Sequence, residues 1–384
     1  MPKISKNLFN ANRDGLVTWI GAFGQVEYES KKINAFINLS SIQNGYCGID
    51  YFQKRRLYIN DTILEFGYGD TLQYQGNTYH SQSDGVDYAT TGWKFIPGFT
   101  FKSGISFKLG KYSNLFTNVS FLNRTPMYSN VIDNNYNKFF AEIANENILA
   151  IEQGFSYTAK DFGINVNTYA TRWKNKPFPY GVPIPDPNDP SENIYVNING
   201  MDAIHMGGEI DIAWNIVKKL STEIMFSVGD WYWNSSKTVV IPQFDSLAYT
   251  FDAKGVHVGD AAQTALSATV RYEPIKNLYV KGQVQYFDRY YSDFNPFTLK
   301  GNNAGRESWV MPSYFLVNFF AGYRFQLKED VLNFSGSIIN ALNTMFIADA
   351  SNNLNGSNQN FDATSATVMF GQGFRFNLSL SYQF

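Results

Sequence analysis

Phe374, Phe376, Leu378, Leu380, Tyr382 and Phe384 alternate without error with Arg375, Asn377, Ser379, Ser381 and Gln383. Successive side chains of a strand point to opposite faces, so this stretch is a strand with one apolar and one polar face. The same alternation recurs along the chain. It predicts strands over residues 16–28, 33–40, 99–108, 115–121, 149–157, 164–172, 205–214, 220–233, 266–272, 278–286, 315–325, 331–340 and 374–384. The last of these, like most, has the roughly ten residues that a tilted strand needs to cross a hydrocarbon core.

The connections carry as much information as the strands. Short polar turns fall at residues 29–32, 110–112, 159–161, 215–218, 273–277 and 327–330. Long polar segments fall at about 41–91, 123–147, 176–193, 234–263, 290–312 and 343–373. Short and long connections alternate strictly. A sandwich has no reason to gather its long loops at one end, whereas an outer-membrane-type barrel does so. The fold expected is all-β, an antiparallel up-and-down transmembrane β-barrel. The segment at 41–91 reads as a structureless loop. The stretch holding Pro177, Pro179, Pro183, Pro185, Pro187 and Pro190 reads as lying outside any sheet, because proline cannot donate to a ladder.

Composition supports a membrane setting and removes other classes. Aromatic residues make up 17% of the chain, enough to furnish girdles at two interfaces. Mean hydropathy is -0.27, and no apolar run is long enough for a transmembrane helix. A barrel hides its hydrophobicity in every second residue, so this does not exclude a membrane. A net charge of -2 gives no reason to expect a nucleic-acid partner. The single Cys47 excludes an internal disulfide framework and a cysteine-based zinc site. His80, His205 and His257 lie far apart, without ligand spacing. The N-terminus lacks the apolar core of a secretory signal. Either the chain is not exported, or it begins partway through a longer protein.

Several stretches resemble the C-terminal barrel of a TonB-dependent outer-membrane receptor. Asn340-Ala341-Leu342-Asn343-Thr344-Met345-Phe346 resembles an Asn-Leu-Phe-Asn-x-x-Tyr segment of that family. Gly207-Gly208-Glu209-Ile210-Asp211 is similar to its Gly-Val-Glu-Leu strand. Asn145 to Gly154 resembles the approach to an earlier strand, without the usual Lys-Pro-Glu, and Val258 to Thr264 resembles the entry to a late one. Arg271-Tyr272 and Tyr323-Arg324-Phe325 fit strand ends. The Asn- and Tyr-rich style is similar to receptors of the Bacteroidota.

The resemblance covers nearly the whole of residues 1–384. It implies a partial barrel, about 13 strands of the roughly 22 that close around a plug. The plug domain, the TonB box and the signal peptide are expected to be absent. It also implies a place in the bacterial outer membrane and energised uptake of a bulky, scarce solute such as a ferric siderophore, a cobalamin-like chelate or an oligosaccharide. The implied partners are the lipid bilayer, the barrel-assembly machinery, the missing N-terminal plug and strands, the TonB system reached through that plug, and an extracellular small-molecule or glycan ligand. The alternative is a plug-less structural or adhesive barrel. An open sheet in lipid leaves two edges unpaired, at a cost on the order of tens of kcal/mol. Alone, the segment is not expected to form a stable pore.

No catalytic motif is present, so neither enzyme activity nor a cofactor or metal is expected. Asp186-Pro187-Asn188-Asp189 offers calcium-type ligands, but its proline context reads as a solvated loop. Trp231, Trp233, Tyr290 and Tyr291 sit where strands should leave the membrane on the outer side. They read as interfacial girdle or as a stacking platform for a ligand. Arg172, Arg271 and Arg324 fall on positions read as lumen-facing, there to pair with plug or lumen carboxylates or to bind an anionic ligand. Leu380, Tyr382 and the terminal Phe384 resemble the signal by which the family's closing strand is recognised for assembly.

Overall fold

The computed structural model describes residues 12–67, 69–87, 89–133, 137–140, 143–177, 182–185, 191, 193–196, 200–241, 247–352 and 362–384. Thirteen long strands lie side by side in sequence order. They are β1 (Arg13–Glu29), β2 (Ile33–Asp50), β3 (Lys94–Lys108), β4 (Ser113–Arg124), β5 (Glu146–Thr158), β6 (Phe162–Lys176) and β7 (Met201–Val217). There follow β8 (Leu220–Trp233), β9 (Ala262–Tyr272), β10 (Leu278–Tyr291), β11 (Tyr314–Leu327), β12 (Asp330–Ile339) and β13 (Arg375–Gln383). Every neighbouring pair is antiparallel. Among the described residues, β1 and β13 each pair on one side only.

The alternating sequence produces two unlike faces. The outward face carries Ile20, Leu39, Leu149, Phe319, Phe376 and Leu378, all exposed. Near the short turns this face ends in a run of rings, Tyr112, Tyr157, Phe162 and Trp214, with successive centroids 6.1, 6.2 and 6.4 Å apart. Aromatic bodies with polar tips suit the membrane–water boundary.

The opposite, inner face is polar. Asn318 donates to Gln283 and Gln285 at 3.0 and 3.1 Å, and Asn38 donates to Gln25 at 3.0 Å. Its aromatic residues face glycines directly across the ladder: Phe36 with Gly104, Phe116 with Gly154, Tyr169 with Gly207, and Tyr279 with Gly322. A Cβ on Gly154 would lie 2.3 Å from the Phe116 ring, and one on Gly322 would lie 2.5 Å from Tyr279. These rings therefore lie over the bare backbone of the next strand.

The long loops hold more order than their composition suggests. Residues 41–50, read as loop, extend β2. Beyond them, Arg55–Ile59 pairs with Thr62–Phe66, and Thr71–Tyr74 with Asn77–His80. Pro183 and Pro185 lie in a ribbon of Val182–Pro185 with Asn193–Val196, contrary to the expectation of a segment outside any sheet. In an isolated two-stranded ribbon each strand is an edge, where a missing donor can be tolerated. The loop after β4 turns inward. Val131 and Ile132 pack on Tyr46 of the inner face, and the Tyr46 hydroxyl donates to the Pro126 carbonyl at 2.6 Å.

The Asn340–Phe346 motif has a structural explanation. Asn340 is buried with φ 52°, a left-handed conformation that asparagine tolerates better than most residues. Its backbone N–H donates to Asn318 at 2.9 Å and its Nδ2 to the Thr344 carbonyl at 2.9 Å. Its Oδ1 accepts from the Thr344 N–H at 2.8 Å. Asn343, also left-handed at φ 51°, accepts from the Phe374 N–H at 2.9 Å. The two asparagines tie the end of β12 to the start of β13. Asn340→Ala is expected to cost about 2–4 kcal/mol, from lost buried hydrogen bonds and left-handed strain. Urea unfolding in lipid vesicles measures it, and a loss below about 1 kcal/mol would reject this account.

Candidate functional site

The long-loop end of β6 to β10 gathers aromatic and charged side chains on both faces of the wall. On the inner face, the Trp231 Nε1 donates to the Tyr169 hydroxyl at 2.8 Å. The Trp231 backbone is held by a side chain: its N–H donates to Gln263 Oε1 and its carbonyl accepts from Gln263 Nε2, both at 2.9 Å. The Gln263 amide here stands in for a ladder residue. Arg289 completes the join by donating to the Gly229 carbonyl at 2.5 Å.

Trp233 is buried, 4% exposed, and Lys176 Nζ sits 5.3 Å from its ring and 4.7 Å from that of Trp173. The Trp173 Nε1 donates to the buried Glu146 at 2.8 Å. Tyr291 is 8% exposed and stacks on His257 at 4.3 Å with planes 9° apart. The His257 Nδ1 lies 2.5 Å from Glu307 and its Nε2 3.2 Å from Asp230. Tyr290 is half-buried near Asp260, Asp293 and Asp349. The four aromatic residues singled out in the sequence thus occupy separate surroundings and share no single open platform.

Asp260, Asp293 and Asp349 come from three different loops and act on one another electrostatically. Burial, then the Asp260 and Asp349 charges, push the Asp293 carboxyl up to about 7, against an opposing pull from Lys176. Asp260 is raised too, chiefly by burial. The interaction between the two side chains raises Asp293 further and lowers Asp260. Sequence reading missed this group, because nothing along the chain links loops so far apart. Among the described residues, no set of three His, Cys, Asp or Glu is arranged to hold a metal ion. Asp186-Pro187-Asn188-Asp189 lies outside the described residues.

The arginines divide. Arg271 and Arg324 lie on the inner face near the short turns, beside a cavity of about 430 Å³. Arg271 pairs with Glu273 at 2.8 Å and stacks over the Tyr279 ring at 4.1 Å. Arg172 is not lumen-facing. It pairs across the ladder with Leu149 on one side and Ile204 on the other, which places it on the outward face. Its strand carries Ile164 and Val166 on that same parity, so counting from them reveals the side. Leu380 and Tyr382 are exposed on the outward face of β13, Phe384 is exposed just past its end, and the Tyr382 hydroxyl donates to Asp330 at 2.6 Å.

This geometry is that of a barrel wall, with tight turns at one end and elaborated loops at the other. Solved structures share it. The copper transporter OprC matches with TM-score 0.60 and 12% identity, over 95% of this chain and 48% of that one. The ferric yersiniabactin uptake receptor FyuA from Yersinia pestis matches at 0.57 and 12%, over 96% and 46%. The closed form of the ferric-catecholate import receptor Fiu from E. coli K12 matches at 0.57 and 14%, over 97% and 45%. No family model and no curated protein matches the sequence. At this identity the likeness is one of fold: the chain has the fold of part of a TonB-dependent receptor barrel. It spans about half the length of these three solved chains.

The acidic group makes the loop end sensitive to pH. Asp293 has a folded pKa above its ordinary value, so its contribution is fully present below about pH 4 and is lost as pH rises through about 7. Hydrogen exchange at Asp293–Phe294, where the backbone pairs with Ser351–Asn352, is expected to lose protection from pH 5 to 8 beyond the intrinsic rate change. Asp293→Asn should remove that dependence. An unaltered pH profile in the variant would rule this out.

Proposed function

We propose that this chain is the C-terminal part of the barrel of an outer-membrane uptake receptor. Its partners are then the lipid bilayer, the assembly machinery that reads Leu380, Tyr382 and Phe384, and an N-terminal part supplying a plug and the remaining strands. Energy reaches the plug from the TonB system. The observation that carries this reading is the strict alternation of tight turns and long loops along a thirteen-strand meander that matches about half of several uptake receptors.

The neighbours and the mouth support one reading of the cargo. The matched structures are named for copper, ferric yersiniabactin and ferric-catecholate import, so a metal chelate is favoured over a glycan. The inner face at the mouth offers Trp231, Trp173 and His205, with ring centroids 5.8 Å apart for His205–Trp231 and 6.2 Å for Trp173–His205. Such a row can stack on the flat ring of an aromatic chelator. Trp233 and Tyr291 are buried and are read as structural.

Two measurements test this. The DNA upstream of Met1 is expected to continue in frame into a plug and about nine further alternating strands, a closed total of roughly 22. A separate short gene would remove the support for uptake. In the complete receptor, Trp231→Ala is expected to weaken binding of a ferric catecholate about tenfold, as loss of one stacking partner does. Trp233→Ala, which empties a buried site, should instead cost about 3–5 kcal/mol of stability. Unchanged binding on Trp231→Ala would return that residue to a structural role.

A further inference from the structure

The rings of the inner face find cover within the wall. Tyr46 lies under Val131 and Ile132, Phe287 packs on Tyr314 with centroids 5.2 Å apart, and Lys281 Nζ sits 4.2 Å from the Phe320 ring. Phe36, Phe116, Tyr169 and Tyr279 lie over glycines of the next strand. Trp19 and Phe23 of β1 are left uncovered, 70% and 83% exposed. They belong to the same face: Trp19 pairs with Asn44 and Phe23 with Ser40, on the parity of the Gln25–Asn38 pair that bonds across the inner surface. Two large rings standing open on a polar face lack the burial that rings elsewhere on it obtain.

The covered rings lean in a consistent direction. β2, β4, β6 and β10 ascend from a short turn to a long loop, and their rings lie over the strand that follows through that loop. The two strands of an antiparallel pair are related by a local twofold axis, so a ring on a descending strand is carried over the strand before it. β11 behaves this way: its Tyr314 and Phe320 meet Phe287 and Lys281 of β10. β1 descends into the turn at 30–32. On its β2 side, Ser40 and Asn44 carry a Cβ where a ring needs bare backbone. The seats for Trp19 and Phe23 therefore belong on the other side of β1, where it pairs with no strand among the described residues.

Two occupants of that edge are poor fits. β13 descends as β1 does, and its inner parity of Arg375, Asn377, Ser379, Ser381 and Gln383 contains no glycine. A second copy joined through β1 about a twofold axis would stand inverted, its short turns level with the long loops of the first. We propose that β1 pairs with an ascending strand of the N-terminal part that carries glycine opposite Phe23 and, four residues later, glycine or alanine opposite Trp19. Both rings then lie over its backbone, as the rings of β2, β4, β6 and β10 do over theirs. Alanine serves opposite Trp19 because Trp173, on the same face, pairs with Ala203. Two such seats fix the register of the join. A slip of two residues would keep every side chain on its face but set each ring against a neighbour with a Cβ.

This rests on the reading of the chain as the C-terminal part of a longer barrel, and the two claims can fail separately. In the complete gene, the last alternating strand before β1 is expected to read Gly-x-x-x-Gly or Gly-x-x-x-Ala on its polar parity. Register is then measured in the complete receptor, in isolated outer membranes and with Cys47→Ser. Gln25→Cys is combined with a cysteine two residues before the first of these glycines, the position that faces it. The control places that second cysteine two residues further back. After mild oxidation and digestion, mass spectrometry counts disulfide-linked peptides. Linkage of the facing pair is expected at about fivefold or more above the control, since two residues along a strand span roughly 7 Å, beyond the reach of a disulfide. A side chain other than glycine opposite Phe23, or linkage that does not favour the facing pair, overturns the proposal and leaves the receptor reading intact. An upstream sequence without a barrel strand overturns both.

Discussion

Backbone pairing is the constraint on which everything else in this molecule depends. In hydrocarbon an N–H or C=O without a partner costs several kcal/mol, so a strand must find a ladder on each side. Eleven of the thirteen strands do so within the chain, and β1 and β13 do so on one side. Consecutive antiparallel pairing is the shortest route to such a ladder, and it puts the turns alternately at the two ends. Where the ladder falters near Trp231, a side chain repairs it. Gln263 returns both hydrogen bonds to the Trp231 backbone and is 1% exposed while doing so.

That repair illustrates how the recognisable motifs relate to the fold. The Val258–Thr264 stretch contains Gln263, and also Gly259, which packs against Asp293. In Asn145-Glu146-Asn147, the asparagines form a ladder with Asn123 at 2.6 and 2.8 Å, and Glu146 receives Trp173. In the Asn340 motif the two asparagines fasten a loop. Each motif supports a strand end on the wall.

Much of the wall was legible in the sequence because a two-residue period leaves a direct trace of side. All thirteen strands were visible, as was the alternation of turns and loops. Arg172 was misplaced because its side was judged from its own charge and not from Ile164 and Val166 in register with it. The internal hairpins of the loops were not legible, since strands as short as Thr71–Tyr74 and Asn77–His80 give alternation too few residues in which to show. The mouth was only partly legible. Trp231 and Tyr291 drew attention as large aromatics, but whether a ring is open or buried depends on loops remote in sequence. Asp293 and His257 had no local signature at all.

The rings laid over glycines along the inner wall set the relief of that surface. A bulky side chain standing upright would project into the space the inner face encloses. Phe36, Phe116, Tyr169 and Tyr279 lie in shallow relief instead. Between them stand amides such as Asn318 and Gln283, which bond to one another and present further donors and acceptors to water. The inner face is thus low in relief where its rings lie and hydrogen-bonding between them, while the bulk of the chain's irregular structure stands at the long-loop rim.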